Sequence, residues 1–326
     1  MLTVLLATRN RAWILADVLE TYCKLQPPPR GWKLIVVDNG SADQTAQVIA
    51  SFAARLPVRC LEEPQRGKNF ALNTGLGLIE GDLTVFADDD TFPNADWLVQ
   101  LRQAADGQPE YSMFGGVIVP RWQVPPPPWV RWVLDAPGVE CDNCEVRAGP
   151  TYGITDLSLK DGPIPPYLVY GANMAVRSKI FLSGVRFDPA IGPSGSTYPV
   201  GGETELLLQL GRQGFKAWHV QSAVVAHFIR KEQLAKSWVF ARAIQFGRGQ
   251  YRLSSAESAS NTRSWLGTPR YLLRRIIGEG MRMVKAGVLL RQEALFRAHW
   301  RFNFFRGQAA EARNLMRKRR AQGISS

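Results

Sequence analysis

The first 120 residues alternate two hydrophobic rhythms. LTVLLA over 2–7 is a short, nearly unbroken apolar run, the pattern of a strand buried on both faces. Ile14, Leu15, Val18, Leu19 and Tyr22 then fall on one face of a helix. LIVVD over 34–38 predicts a second strand, PVRCLE over 57–62 a weaker third and LTVFA over 83–87 a fourth. Between them, Ser41 and Gln44 have capping-box spacing ahead of a helix through Val48, Ile49 and Phe52. A further helix is expected over roughly 69–79, and Asn94 is placed to cap one through Trp97, Leu98 and Leu101. This βαβα order predicts an α/β fold, a mostly parallel sheet with helices on both faces and right-handed crossovers. Ligands of such sheets bind outside the carboxyl ends of the strands.

The rhythm then changes. PRWQVPPPPWVRWVLDAP over 120–137 reads as a semi-rigid, polyproline-like connection flanked by tryptophans. It is either a spacer or an aromatic surface near a pocket. Residues 167–228 are mixed again, and beyond 230 the pattern is mainly helical and basic. From 269 on, Leu272, Leu273, Ile276, Ile277 and Val284 interleave with Arg274, Arg275, Arg282 and Lys285. That is the pattern of a basic amphipathic helix able to lie in a membrane interface, and RKRR at 317–320 adds attraction to anionic lipid. The alternative is a helix packed on the α/β body with its charges in water.

Charge sharpens this division. The 326 residues carry a net charge of +12. Residues 261–326 hold 15 Lys/Arg and 3 Asp/Glu, so the 40 basic and 28 acidic residues of the whole leave 25 of each sign in residues 1–260. A basic tail on a neutral body points to an anionic partner, phospholipid head groups or nucleic acid. Without a recognisable nucleic-acid-binding module, an anionic membrane surface reached through 269–320 is the expected partner and nucleic acid is not. With 45% hydrophobic and 21% charged residues, disorder and fibrous repeats are excluded. No apolar run reaches the roughly 18–20 residues of a membrane span. MLTVLLATRNRA lacks the basic region and cleavage site of a signal peptide. The expected location is cytoplasmic, peripheral on the inner face of the membrane. Cys23, Cys60, Cys141 and Cys144 are then expected as thiols. Cys141 and Cys144 form a lone C-x-x-C without two further zinc ligands at suitable spacing.

The candidate chemistry is acidic. Asp38 ends the second strand, and Asp88, Asp89 and Asp90 end the fourth. Both groups therefore fall on one edge of the sheet. Three successive carboxylates need positive charge among them, and a hard cation with oxygen ligands is the simplest source. Alternation along an extended chain should put Asp88 and Asp90 on one side and Asp89 on the other. The competing reading is an acidic turn that favours the next helix through its dipole. His219 and His227 flank the strand-like WHVQSAVVAHF, where a lone histidine is more often structural. His299, among basic and aromatic residues, is expected at the surface or an interface.

Taken in order, TRNRA at 8–12, VVDNGS at 36–41, GKNFALNTG at 67–75 and ADDD at 87–90 resemble family 2 of the inverting glycosyltransferases. GGVIVP at 115–120, YGANMAV at 170–176, GGETEL at 201–206 and His227 extend the likeness to about residue 250. The resemblance implies the GT-A fold, a Rossmann-like mixed sheet with a helical basic C-terminal extension. It implies a catalytic domain over 1–230, split into a nucleotide-binding half (1–120) and an acceptor and catalytic half (121–230), followed by a helical basic region over 231–326.

The same resemblance implies roles for single residues. By it, Thr8 opens the nucleobase pocket, Asp38 bonds the base edge, Lys68 lies near the nucleotide and Asp88 touches the ribose. Asp90 binds a metal, Mn2+ or Mg2+, with Asp89 and His227 as further contributors. The family commonly reads Gly-Glu-Asp-x-Asp/Glu-Leu where this chain has Gly201-Gly202-Glu203-Thr204-Glu205-Leu206. Aligned from the Leu206 end, Glu203 fills the position of the catalytic base, with Glu205 as the fallback. The implied reaction moves a sugar from a nucleotide-diphosphate sugar, UDP being the commonest donor, onto a sugar or lipid-linked acceptor in polysaccharide or glycolipid biosynthesis. A nucleotidyltransferase would want a glycine-rich phosphate loop after the first strand, which ATRNRA lacks. A nucleotide-sugar-binding protein without catalysis is the other alternative, with GGETE marking a lost base.

Overall fold

The computed structural model describes residues 1–134, 151–155, 158–192, 199–255, 264–265 and 267–321. Cys141 and Cys144 lie outside these, while Cys23 and Cys60 are free thiols. In chain order the elements begin β1 (Leu2–Thr8), α1 (Ala12–Tyr22), β2 (Trp32–Asp38), α2 (Thr45–Ser51), β3 (Val58–Glu62), α3 (Lys68–Leu76) and β4 (Leu83–Asp88). Next come β5 (Thr91–Pro93), α4 (Trp97–Gly107), β6 (Met113–Trp122), α5 (Arg131–Leu134), β7 (Gly162–Ile164), β8 (Asn173–Arg177) and α6 (Lys179–Leu182). The chain continues through α7 (Gly202–Arg212), β9 (Ala217–Ile229), α8 (Lys236–Ser255), β10 (Ser264–Trp265), β11 (Thr268–Pro269), α9 (Arg270–Val288) and α10 (Gln292–Ala321).

Packing divides the chain into two units. The first comprises Met1–Gln123, the described residues of 137–190, and Gly202–Ile229. The second comprises the described residues of 124–136, of 191–201 and from Arg230 on.

In the first unit the sheet runs β3-β2-β1-β4-β8-β6-β9-β5, with β7 beside β9. The first four strands are parallel, and β8 then enters antiparallel between β4 and β6. Side-chain alternation along β1 explains the two layers of core. Leu2, Val4 and Leu6 pack with Leu15 and Leu19 of α1 and with Trp97 and Leu101 of α4. Leu5 and Ala7 pack on the other face with Leu72 of α3 and with Leu206 and Leu210 of α7. Both faces are covered, which is why the strands read as continuous apolar runs rather than alternating ones.

Three local expectations are corrected. Ser41 does not cap α2, because its hydroxyl donates to Asp38 and accepts from the Asn10 amide. Asp43 instead accepts from Thr45 at the start of that helix. Nor does the Asn94 side chain cap α4, which starts at Trp97 with Asp96 at its N-cap and no side-chain cap. Asn94 contributes its carbonyl, which accepts from Trp97 N at 3.1 Å. Third, Asp89 and Asp90 do not point to opposite sides. The strand ends at Asp88 and the chain turns, so the period of two lapses.

The second unit is helical. Glu311 of α10 is fully buried and accepts from Arg248 and Arg252 of α8 at 2.8 and 2.6 Å. Glu279 of α9, also buried, is held by Arg282 and by Arg301 of α10. Trp129 and Trp132 after the proline run pack on Phe296, with ring centroids 5.4 and 5.7 Å away, so these tryptophans serve as packing. His299 is half-buried against Phe240, with ring centroids 3.9 Å apart.

Candidate active site

Strand register brings the polar residues to one edge. Thr8 pairs with Asp38 across β1 and β2, and Ala7 pairs with Asp88 across β1 and β4. Each apolar run thus ends at the same level, and its first polar residue faces the crevice beyond the sheet. Asp38 is buried, and its Oδ1 accepts from the Ser41 amide and hydroxyl. Its other oxygen takes no hydrogen bond among the described residues. Thr8 Oγ1 is buried without a well-formed hydrogen bond.

The neighbouring Asn39 organises the next loop. Its Nδ2 donates to Glu63 O and Gln65 O at 2.9 and 2.6 Å, and its Oδ1 accepts from Gly67 N at 2.8 Å. Gly67 sits at φ 146°, a conformation open to glycine alone, and directly precedes α3. The start of α3 is therefore fixed, and with it the position of Lys68.

Lys68 is the hub of the site. Its Nζ donates to Asp88 Oδ1 and Glu203 Oε1, both at 2.6 Å. Burial alone would weaken the ammonium, but the two carboxylates outweigh it and hold the Lys68 pKa well above its usual value. Burial pushes Asp88 up, yet Lys68 prevails and the net direction is down. Glu203 reaches the lysine because Gly171 leaves room, since a Cβ there would stand 2.6 Å from Glu203 Cγ. Glu205 has other surroundings. Burial first, then Asp188, raises its pKa, with Arg212 opposing.

Beside this trio lies the acidic turn. Thr91 Oγ1 donates to Asp88 O at 2.8 Å, and Phe228 N donates to Asp90 O at 2.8 Å, which pins the turn to β9. Arg11 reaches both carboxylates, with Nε 3.2 Å from Asp89 Oδ1 and Nη2 3.7 Å from Asp90 Oδ2. Burial and Asp90 still push the Asp89 carboxyl up to about 7, against Arg11 and Thr8. Much of the positive charge that three successive aspartates need thus comes from the chain itself, through Arg11 and Lys68.

Asp90 Oδ1 also faces His227 Nε2 at 3.6 Å. His227 Nδ1 lies 2.7 Å from Tyr152 O. A carbonyl only accepts, so Nδ1 carries a proton, and a neutral ring then presents the Nε2 lone pair toward Asp90. Metal-bound histidines are commonly oriented in this way. Two ligand atoms at about 2.1 Å from one cation lie roughly 3.0–3.7 Å apart when they subtend 90–120° at it. The Asp90–His227 pair fits that spacing. Among the described residues no three His, Cys, Asp or Glu side chains converge as a metal cluster. The arrangement suits a cation held by two protein ligands and completed by substrate phosphate oxygens.

Of the residues expected from the sequence, Lys68, Asp88 and Glu203 form one contact group; Asp89 and Asp90, next along the chain, share Arg11, and Asp90 faces His227. Thr8 and Asp38 lie along the same edge, and Glu205 does not join either group. Arg11, Asn39 and Gly171 carry parts of the geometry that the sequence pattern does not single out. All three stand inside the motifs TRNRA, VVDNGS and YGANMAV, but no charge or spacing rule marks them individually.

With this geometry in place, residues 3–154 match the family model described as glycosyl transferase family 2. The glucosyl-dolichyl phosphate glucuronosyltransferase of Haloferax volcanii is 21% identical over 222 residues, 66% of this chain and 65% of that protein. Glycosyltransferase AglE of the same organism is 29% identical over 99 residues, 29% of this chain and 32% of its own. The matches thus span about two thirds or less of these relatives. The mannosyltransferase PcManGT of Pyrobaculum calidifontis, solved with GDP-Man and Mn2+, superposes with a TM-score of 0.56 at 17% identity, covering 100% of this chain and 81% of its own. S. aureus TarS 1–349 in complex with UDP-GlcNAc gives 0.53 at 13% identity, covering 99% and 92%. Residues 3–154 thus resemble glycosyl transferase family 2 in sequence, and the sheet has the GT-A fold.

Proposed function

We propose that this chain is a family 2 glycosyltransferase, which moves a sugar from a nucleoside-diphosphate sugar to an acceptor hydroxyl by one inverting displacement, with Glu203 as the base. The observation that carries the proposal is the Lys68 bridge. One ammonium joins Asp88, at the end of a nucleotide-side strand, to Glu203, at the start of α7. A donor-side residue and a candidate base thus share one partner at the carboxyl edge of the sheet.

In this reading the buried Thr8 hydroxyl and the free oxygen of Asp38 receive the nucleobase. A carboxylate oxygen accepts a base N–H, which uracil, thymine and guanine all present; a UDP-sugar is the first candidate, and the nucleotide panel below decides among the three. Asp88 meets the ribose. Lys68 stays protonated and places positive charge where the diphosphate leaves. Asp90 and His227, with Asp89 beside them, would hold Mn2+ or Mg2+, which when bound stabilises negative charge on phosphate oxygens. The acceptor oxygen attacks the anomeric carbon as the carbon–oxygen bond to phosphate breaks. The bonding pair leaves with the diphosphate, and the hydroxyl proton passes to the Glu203 carboxylate. Glu203 is preferred over Glu205 because only Glu203 meets the Lys68–Asp88 pair. The relative whose name carries glucosyl-dolichyl phosphate favours a lipid-linked acceptor and a role in glycolipid or polysaccharide synthesis.

The test is thermal stabilisation by a panel of nucleoside diphosphates, with and without Mn2+, on wild type and Asp90→Asn. Selective stabilisation by one nucleotide, dependent on metal and lost in Asp90→Asn, is expected. No stabilisation of folded wild type by any nucleotide would refute the proposal.

A further inference from the structure

α9 has two faces of different use. Leu272, Glu279 and Ala286 are buried on one side. On another side Ile277, Met281, Val284 and Val288 recur at steps of four, three and four, one continuous stripe along the helix. These four are 62, 64, 70 and 77% exposed. Leu272, grouped with this stripe in the sequence pattern, belongs to the packed side instead. The stripe runs on into Leu289 and Leu290, which is 86% exposed. Leu290 also has φ 53°, a left-handed conformation that glycine or asparagine adopts more readily. A leucine there is unfavourable in backbone and in hydration alike, and neither helps the fold. A contiguous apolar surface of this kind marks an interaction site.

The charges beside the stripe name the partner. Arg270, Arg274, Lys285 and Arg291 are exposed, and none forms an ion pair among the described residues. Next to the stripe a concavity of about 270 Å3 opens over Gly278, lined by Tyr271, Arg274, Arg275, Glu279 and Arg282. Its one carboxylate, Glu279, is already held by Arg282 and Arg301. The concavity therefore keeps an excess of guanidinium groups, which suits a phosphate. Apolar side chains flanked by unpaired cations match an acyl layer under anionic head groups. Nucleic acid would leave the stripe unused. A second copy of this face would set cations against cations.

We infer that α9 is an in-plane membrane helix, which seats Ile277, Met281, Val284, Val288 and the Leu289–Leu290 tip in the acyl boundary of an anionic bilayer. The guanidinium-lined concavity then meets a phospholipid phosphate. This is independent of the transferase reading, and no helix of the described residues is long and apolar enough to cross a membrane.

The experiment is sedimentation of the full chain with vesicles of phosphatidylcholine, pure or with about one third phosphatidylglycerol. Wild type is expected to bind the anionic vesicles. The fourfold serine variant Ile277→Ser/Met281→Ser/Val284→Ser/Val288→Ser should bind at least about tenfold more weakly. Arg274→Gln/Lys285→Gln should lose about fivefold per cation removed. All six side chains are exposed, so melting temperatures should hold and separate lost binding from lost folding. Failure of wild type to bind anionic vesicles would overturn the inference. So would a serine variant that binds as well as wild type, or a concentration-dependent dimer that the serine variant abolishes while vesicles are ignored.

Discussion

Glu203→Gln separates chemistry from binding at the proposed site. The substitution keeps the shape of the side chain and removes its capacity to take a proton. Its structural cost follows from the Lys68 bridge. Lys68 retains Asp88 at 2.6 Å and still has the Gln oxygen as acceptor, so no buried charge is left alone. One charge-assisted hydrogen bond becomes a neutral one, a loss of about 1 kcal/mol, reduced further because Glu203 is 21% exposed. A chain of this size should then melt at most about 1–2 °C lower. Loss of a general base costs about 10²–10⁴ in rate, or roughly 3–5 kcal/mol of transition-state stabilisation. The two effects are far apart and can be read separately. Calorimetry should give a donor-nucleotide Kd within about threefold of wild type, while kcat for transfer falls at least about a hundredfold. Glu205→Gln should leave kcat within about threefold, because that side chain faces Asp188 and Arg212 instead. Transfer by Glu203→Gln within tenfold of wild type would refute the assignment, as would greater damage from Glu205→Gln.

Other substitutions probe the supports of the site. Asn39→Ala removes three hydrogen bonds from a buried side chain and should cost about 2–4 kcal/mol in urea unfolding; a loss below 1 kcal/mol would mean the loop is held by other contacts. Gly171→Ala drives a Cβ into the Glu203 side chain, so transfer should fall more than about tenfold while donor binding persists. Unchanged kcat would show that Glu203 need not occupy its present position. Because two protein ligands alone make a weak cation site, Mn2+ should stabilise the protein only when nucleotide is present, and His227→Ala should abolish that increment. Strong stabilisation by Mn2+ alone would contradict the two-ligand arrangement.

Apart from β5, which no pattern predicts, the helices and strands of the first 110 residues are legible because each obeys one period. Leu2–Ala7 is apolar but for Thr3 since both faces of the sheet are covered, and α1 buries the five residues its spacing marks. The edge that collects Thr8, Asp38 and Asp88 follows from the same pattern, because each apolar run stops at one level. Legibility fails where a backbone conformation or a distant partner decides. Nothing in ADDD says that the strand ends at Asp88, so alternation wrongly separates Asp89 from Asp90. Arg11 reads as one more surface cation, and only the fold sets it against the two carboxylates. Ser41 has the right spacing for a cap, but the stronger acceptor Asp38 lies three residues behind it and engages the hydroxyl. The stripe on α9 is visible as amphipathicity, yet which apolar face is packed and which is free depends on α10.

The place of β9 in the sheet has a consequence for how the protein is made. Parallel β1, β2, β3 and β4 complete their pairing with one another within the first 88 residues. Met113, by contrast, pairs with Ala217, and Thr91 with His227. Such distant pairings are slow to close. During synthesis the donor-side strands can therefore assemble while β5 and β6 still wait for β9. Over that interval Asp90 lacks His227 and the β9 amide of Phe228. The edge that gathers Thr8, Asp38 and Asp88 is thus laid out early in the birth of the chain, and the pairing of Asp90 with His227 is completed late.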